Sequence, residues 1–304
     1  MAGAARAIVI FAWGLITIAA LLSLALSVYS LNVWDRLPAD QATRYFQNMT
    51  PQDVQSHADY QNAVVQAGLS LSGYAFIFTT ARILGGLALI LVGFLLLWRY
   101  NSHVMAVLMA CFLSVFAAAG IWENSLFSWA VTLAPWMNYP ASILTWLLWC
   151  GVIVIYTFPN GRFTPRWTLW LAVLVVPLSF LLAFNINIFL NPDNWPSPLY
   201  LLPNLIFIGG GFFAILYRYF HLTDPKRKQS MRGYVISLSV LLAVYFVDYL
   251  MMDVYTALSG NLLIQGYSAD VVYVLVHEPV WYALEIFFAV GLAVSVFRRK
   301  LLED

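Results

Sequence analysis

Three ionisable residues lie in apolar stretches where a charged side chain is rare: Arg82, Asp248 and Glu285. Such residues are costly inside a membrane and are functional candidates by default. A lone buried guanidinium would be expensive, so we expect Arg82 to pair with Asp248 or Glu285. The remaining carboxylate would be protonated, hydrogen-bonded to a tyrosine, or paired with a bound cation or amine, because like charges at close range disfavour each other.

Helical spacing adds aromatic side chains to these candidates. Tyr245 lies three residues before Asp248, and Tyr282 lies three before Glu285, so each pair shares one helix face. We therefore predict an outward-facing site for a small polar or cationic ligand, lined by Arg82, Tyr245, Asp248, Tyr282 and Glu285. The alternative is a purely structural ion pair, since structural networks also perturb ionisation without any function.

The composition indicates which solvent surrounds these residues. Hydrophobic residues make up 62% of the 304 positions and charged residues 10%, which is more apolar surface than one soluble core could hide. The net charge of +1 argues against a nucleic-acid partner. We expect the lipid bilayer to be the solvent.

Eight apolar segments are long enough to cross a membrane as helices, since the hydrocarbon core takes about 20 apolar residues. The predicted spans are residues 7–31, 74–98, 104–127, 141–158, 168–190, 200–220, 233–257 and 273–297. The first exceeds the apolar region of a signal peptide and has no small-residue cleavage site, so we expect it to remain. The predicted fold class is an all-α, polytopic membrane protein in which residues 1–304 form a single helical bundle.

The basic residues orient this bundle. If the spans alternate in direction, twelve basic residues fall on one side and only Arg36 and Arg44 on the other. Because positively charged loops stay in the cytoplasm, both termini are expected to be cytoplasmic. At about 1.5 Å per helical residue, Arg82, Asp248 and Glu285 then lie roughly 20 to 25 Å above the cytoplasmic edge. Three further acids form an outer rim at about 30 Å by the same count. They are Glu123, Asp253 and Glu278.

The loop at residues 32–73 is expected outside the cell and contains signals for a short surface helix. Thr50 suits the N-cap, Pro51 the first helical position, and Asp53 the position three residues after the cap. Gly68 supplies a stop signal. The apolar positions are too sparse for a helix lying on the membrane, so we expect this helix to cover the bundle as a lid.

A segment rich in proline and glycine joins the fourth and fifth spans on the cytoplasmic side. It reads YTFPNGRFTPRW over residues 156–167. Pro159 ends the fourth span, Gly161 suits a turn with positive φ, and Pro165 restarts the chain. Three further side chains suit the headgroup region, where guanidinium groups meet lipid phosphates and indole prefers the interface. They are Arg162, Arg166 and Trp167.

This segment resembles the Phe-Pro-Asp-Gly-Arg-Phe-x-Pro-Arg-Trp turn in the multi-helix membrane regions of bacterial sensor histidine kinases and related stand-alone membrane proteins. Further runs look like that family: TPQDV…AGLSLSGYA, LLLWRYNSHVMAVLMACFLSVFAAAG and YRYFHLTDPKRKQSMRGYVI. The likeness covers roughly residues 50–240. Asn160 stands where the family has aspartate, and Lys228 and Gly233 stand where arginine and tryptophan are expected.

The sequence contains no kinase domain, and it offers neither a phosphoacceptor histidine nor ATP-binding glycine boxes. The resemblance therefore implies a sensory module of the bacterial cytoplasmic (inner) membrane. The partners it implies are the lipid bilayer and a separate cytoplasmic signalling protein.

Motifs for enzymes, metals and cofactors are not found. The sequence has no His-Glu-x-x-His helix, no Gly-x-Ser-x-Gly elbow and no phosphate-binding loop. No two of the four histidines share a depth in the predicted bundle, which argues against haem. We therefore expect a non-catalytic receptor without metal or cofactor. Two alternatives remain: an accessory subunit that scaffolds other membrane subunits, and a small-solute or proton-coupled transporter.

Overall fold

A computed structural model gives the fold of most of the chain. It describes residues 3–36, 61–62, 64–65, 68–119, 138–184, 186, 202–258, 263–264, 267–298 and 301–302. The side chains of Asp248, Asp253 and Glu278 lie outside this description, as does the whole of Glu123.

The described part of the chain is all-α, which confirms the predicted class. The helices are α1 Gly3–Arg36, α2 Leu71–Tyr100, α3 Val104–Ala119, α4 Asn138–Cys150, α5 Val152–Thr157, α6 Thr168–Ala183, α7 Leu202–His221, α8 Pro225–Leu258 and α9 Ala269–Ala293. A π-helix, Val294–Arg298, continues α9. Two short strands, β1 Leu263–Ile264 and β2 Tyr267–Ser268, pair antiparallel before α9. Only Gly151 separates α4 from α5, so together these two helices occupy the predicted fourth span.

Two helical stretches in the described residues are long and apolar enough to cross a membrane. They are Leu71–Tyr100 and Val280–Arg298. Shorter apolar stretches lie at Ile10–Leu22, Val104–Ala118, Ser142–Thr157, Thr168–Ala183 and Leu205–His221. Large apolar side chains such as Phe76, Trp98 and Trp170 are exposed on the outside of the bundle. These features suggest association with a membrane.

Contacts between helices set their relative directions. Arg82 of α2 meets Tyr282 of α9, and Tyr100 at the other end of α2 meets Val296 just beyond α9, so the two helices run parallel. If successive spans alternate in direction, the second and eighth predicted spans cross the membrane in the same direction. The direction that we predicted for this pair therefore agrees with the structure.

Small residues bring neighbouring helices close together. A Cβ added to Gly93 of α2 would lie 3.2 Å from the carbonyl oxygen of Ala110 in α3. A Cβ on Gly86 would lie 2.7 Å from the side chain of Leu24 in α1. Such close approach favours dispersion contacts between helices where lipid provides no hydrophobic driving force. The largest fully buried side chains of the main core are Leu89, Leu96, Met109, Leu113, Phe158, Ile215, Tyr234, Leu238, Phe288 and Leu292.

The segment before α2 ends as a helix where the sequence predicts. Residues 61–62 and 64–65 are helical, and Gly68 follows with a φ of 78°. The amide of Gly68 donates to Val65 and that of Leu69 donates to Val64, which is the pattern of a glycine C-cap. The stop signal at Gly68 is therefore confirmed. The predicted start at Thr50, Pro51 and Asp53 lies outside the described residues.

Candidate functional site

Arg82 lies inside the bundle and contacts α9. Its Nη1 donates a hydrogen bond to the hydroxyl of Tyr282 at 3.3 Å. Only 5% of the Arg82 surface is exposed, and Tyr282 is also buried. The predicted burial of this cation is therefore confirmed, and its identified hydrogen-bond partner is a tyrosine hydroxyl.

Glu285 lies one helical turn beyond Tyr282 and packs into a notch at Gly85. A Cβ at position 85 would lie 2.6 Å from Oε2 of Glu285, so a larger residue there would require the carboxylate to move. Glu285 is 4% exposed and interacts electrostatically with Arg82. The bundle thus buries a carboxylate beside the buried guanidinium of Arg82.

Helical spacing explains why these groups meet. Gly85 follows Arg82 by three residues and Glu285 follows Tyr282 by three, so each pair lies on one face of its helix. Because α2 and α9 run parallel, the two faces meet in the same order. We call Arg82, Gly85, Tyr282 and Glu285 the outer layer.

Tyr245, another predicted lining residue, lies on α8 and contacts α9. Tyr245 is half-buried on α8, and its ring meets Trp281 edge-on, with centroids 5.7 Å apart. Tyr245 is therefore adjacent to the outer layer through Trp281. Asp248 follows one turn later on α8, and its side chain is outside the described residues.

Thr79 is a neighbour of the outer layer that the sequence analysis missed. It precedes Arg82 by three residues on α2, is buried, and has a hydroxyl with no hydrogen-bond partner in the described structure. Helical spacing alone would have placed it on the face of Arg82. Threonine is common in apolar helices and carries neither a charge nor a ring, so its residue type alone gives no signal.

The segment before α2 contacts the outer layer. Val64 is fully buried in a small cluster with Tyr74, Phe78 and Tyr282. The rings of Tyr74 and Phe78 pack with centroids 4.1 Å apart. Because Tyr282 belongs both to this cluster and to the outer layer, Val64 packs beside the outer layer; the predicted lid stays a prediction.

The proline- and glycine-rich turn forms as the sequence predicts. Gly161 has a φ of 70°, and its amide donates to the carbonyl of Thr157 at 2.8 Å. Arg162 and Arg166 are exposed, and Trp167 is 45% exposed. Pro159 is buried and Pro165 is half-buried. The positive φ predicted at Gly161 is confirmed.

A second buried arginine holds this turn from α7. Arg218 donates through Nε to the carbonyl of Thr164 at 3.1 Å and through Nη1 to the carbonyl of Phe158. Only 9% of Arg218 is exposed. The ring of Phe158 packs on Tyr234 of α8 with centroids 4.9 Å apart. The sequence placed Arg218 on the cytoplasmic side, but it gave no sign of its role in the turn.

Metal ligands do not cluster in the part of the chain that the structure describes, where no three His, Cys, Asp or Glu side chains come together. Cys111 and Cys150 are half-buried free thiols. His103 and His221 lie at helix ends. The prediction of a protein without metal or cofactor stays a prediction.

Comparison of the chain with family models, curated proteins and solved structures finds no match. The resemblance of the turn to sensor-kinase membrane regions therefore stays a prediction.

Proposed function

We propose that the protein is a non-catalytic, multi-pass sensor of the bacterial cytoplasmic membrane, with eight spans and both termini in the cytoplasm. It binds a small polar or cationic ligand from the outer side and signals to a separate partner. The observation that carries this proposal is the burial of the Glu285 carboxylate against Gly85 and beside the Arg82 guanidinium.

The chemistry of this carboxylate supports a ligand that donates hydrogen bonds. A buried charge is costly unless it is paired and hydrogen-bonded, and the costs are high for ionisable groups in a bilayer. An ammonium group would supply both a charge and donors to Glu285. The neighbouring rings of Tyr282 and Trp281 suit an organic cation, because aromatic faces attract positive charge.

The partner of Arg82 supports a change of state on binding. A hydrogen bond to the Tyr282 hydroxyl can be exchanged by small side-chain rotations, so a ligand at Glu285 can favour one arrangement of α2 and α9 over another. A ligand shifts such an equilibrium only by its difference in affinity for the two states. The exposed basic residues Arg162, Arg166, Lys226 and Arg227 offer a surface for the cytoplasmic partner.

The ligand prediction is tested by thermal unfolding of the purified protein with methylammonium, ethanolamine and choline. At least one of these cations is expected to raise the melting temperature in a concentration-dependent way, because binding to the folded state alone stabilises it. Glu285→Gln should lose the increase, whereas Asp224→Asn, which alters an exposed acid, should keep it. An equal increase in wild type and Glu285→Gln would contradict the proposal.

A second candidate is an accessory subunit of a larger membrane complex. It is favoured by the burial of Arg82, Gly85, Tyr282 and Glu285 and by the packing of Val64 on Tyr282, which is what a purely structural contact requires. This candidate predicts purification at fixed stoichiometry with other membrane proteins and no thermal response to any of the three cations.

A further inference from the structure

We infer that the π-helix Val294–Arg298 is a conformational joint that carries a change in the outer layer to the cytoplasmic end of α9. The inference rests on the proposed function, since it describes how the same site would be read inside the cell. It is argued from four features of α9 and its neighbours.

The first feature is that α2 and α9 are joined at two levels. At the outer level, Arg82 donates to Tyr282. At the cytoplasmic level, the hydroxyl of Tyr100 donates to the carbonyl of Val296 at 3.5 Å, inside the π-helix. Because an α-helix is stiff between such points, a displacement of α9 against α2 at the outer layer is transmitted to the π-helix.

The second feature is a direct backbone contact between α8 and α9. A Cβ on Gly233 would lie 3.0 Å from the carbonyl oxygen of Gly291 and 2.7 Å from Oγ of Ser295. No side chain lies between the two backbones at this crossing, so α8 and α9 touch there through glycine and serine atoms. We expect that α9 can rotate or slide at this point without displacing large side chains.

The third feature is the hydrogen bonding of the π-helix itself. Oγ of Ser295 accepts a hydrogen bond at 2.7 Å from the backbone amide of Tyr234, inside α8. Beyond the π-helix, the amide of Leu301 donates to the carbonyl of Ser295 at 3.1 Å, a separation of six residues that is wider than the five of a π-turn. A π-turn holds one extra residue, and such turns occur often at functional sites.

The geometry of that extra residue provides the switch. Conversion of the π-turn to a regular α-helical turn rotates the residues after it by about 100° relative to those before it, since an α-helix has about 3.6 residues per turn. Arg298 is exposed and Leu302 is buried at this end of the chain. A change in the π-turn therefore changes the basic surface that the end of α9 presents.

The fourth feature is a fixed reference beside the joint. The amide of Tyr234 bonds to Ser295, and its ring packs on Phe158. The carbonyl of Phe158 is in turn held by Arg218. The turn at residues 158–167 thus stays with α7 and α8, and movement of the α9 end can be measured against it.

The test uses pairs of spin labels and pulsed electron resonance in a background without cysteine, made by Cys111→Ala and Cys150→Ala. One pair, Arg162→Cys with Arg298→Cys, measures the α9 end against the turn. The other pair, Phe76→Cys with Val280→Cys, measures α2 against α9 at the outer level. The perturbation is Glu285→Gln, which needs no knowledge of the ligand.

Glu285→Gln is expected to shift both distance distributions, by about 2 Å or more for helix movements of the usual size. Removal of the joint, by deletion of Val294 or by Ser295→Ala, should keep the outer shift and abolish the cytoplasmic shift. Val290→Ala, an exposed position on the same helix, should keep both shifts. Thermal unfolding establishes that each variant folds. If the variant with Val294 deleted does not fold, Ser295→Ala still tests the joint.

A cytoplasmic shift that persists in both joint variants would overturn the inference. An outer shift without a cytoplasmic shift in the intact protein would also overturn it, and would leave the proposed outer site standing. If neither pair responds to Glu285→Gln, the two-state behaviour required by the proposed function fails, and the inference fails with it.

Discussion

The two buried arginines differ in the kind of group that accepts their hydrogen bonds. Arg218 donates to two backbone carbonyls, those of Phe158 and Thr164. Arg82 donates to a side chain, the hydroxyl of Tyr282. Backbone carbonyls within a packed turn have no rotamer to change, whereas a tyrosine hydroxyl and a neighbouring carboxylate can each exchange partners.

This difference separates a structural cation from a switchable one. The planar guanidinium of Arg218 uses its fixed fork of donors to hold the turn, a role for which lysine is a poor substitute. Arg82 interacts electrostatically with Glu285 of α9, and the proposed function requires this pair to change partners when a ligand binds. The comparison predicts large stability effects at Arg218 and smaller effects, linked to ligand response, in the outer layer.

The largest effect is expected for Arg218→Met. This substitution leaves the carbonyls of Phe158 and Thr164 without their donors, and hydrogen bonds from charged groups are worth about 1.5 to 3 kcal/mol each. We therefore expect the free energy of unfolding to fall by about 3 kcal/mol or more. The measurement is denaturant unfolding in mixed micelles followed by circular dichroism.

The matched control for Arg218 is Arg166→Met, at an exposed position of the same turn, which should change stability by less than about 0.5 kcal/mol. Equal losses at the two positions would show that Arg218 does not hold the turn.

A smaller loss is expected for Gly85→Ala. The new Cβ would lie 2.6 Å from Oε2 of Glu285, and overpacking a core costs about 1 to 3 kcal/mol. Gly209→Ala is the control, because a Cβ at that helical glycine meets nothing within 4 Å. Glu285→Ala should remove the penalty of Gly85→Ala in the double variant. If the two substitutions act additively in unfolding measurements, the notch is not the cause.

Tyr282→Phe is expected to lower the free energy of unfolding by about 1 kcal/mol, because it removes one hydrogen bond to Arg82. It should also weaken the thermal response to the cation that stabilises the wild type, because the state of Arg82 changes. Tyr139→Phe alters an exposed hydroxyl and should change neither quantity. If the cation raises the melting temperature of Tyr282→Phe as much as that of the wild type, Arg82 takes no part in the change caused by ligand binding.

The smallest effect on stability is expected for Arg162→Gln combined with Arg166→Gln. Both side chains are exposed, so the combined loss should stay below about 1 kcal/mol. Binding to phosphatidylglycerol nanodiscs should weaken, because each basic residue near an anionic surface contributes about 1 kcal/mol. Nanodiscs of phosphatidylcholine give the baseline, and equal behaviour in both lipids would exclude a headgroup role for the turn.

Local features of the molecule could be predicted from sequence, because they depend on neighbouring residues. Gly68 and Gly161 adopt positive φ at positions where a helix stop and a turn were expected. The burial of Arg82 follows from its place in a long apolar helix. Each of these depends on a single segment, and the residues around it carry the signal.

Contacts between distant segments were not predictable in the same way. Arg218 reads as one more basic residue at the end of a helix, and its carbonyl partners lie 54 and 60 positions away. The π-helix also leaves no mark in the apolar pattern, and the hydrogen bond from Tyr234 to Ser295 joins residues 61 positions apart. Spacing on one helix cannot show which face of another helix it meets.

The most direct test of the outer layer is the accessibility of position 285 from outside. Glu285→Cys, in the background without Cys111 and Cys150, is treated with a membrane-impermeant trimethylammonium thiosulfonate reagent. Val65→Cys, on the exposed side of the predicted lid, is the positive control, and Leu284→Cys, in the core, is the negative control. We expect position 285 to react from the outer side, more slowly than position 65, and we expect the stabilising cation to slow the reaction. If position 285 reacts no faster than position 284, the outer layer is sealed and structural, and the proposed ligand site at Glu285 is wrong.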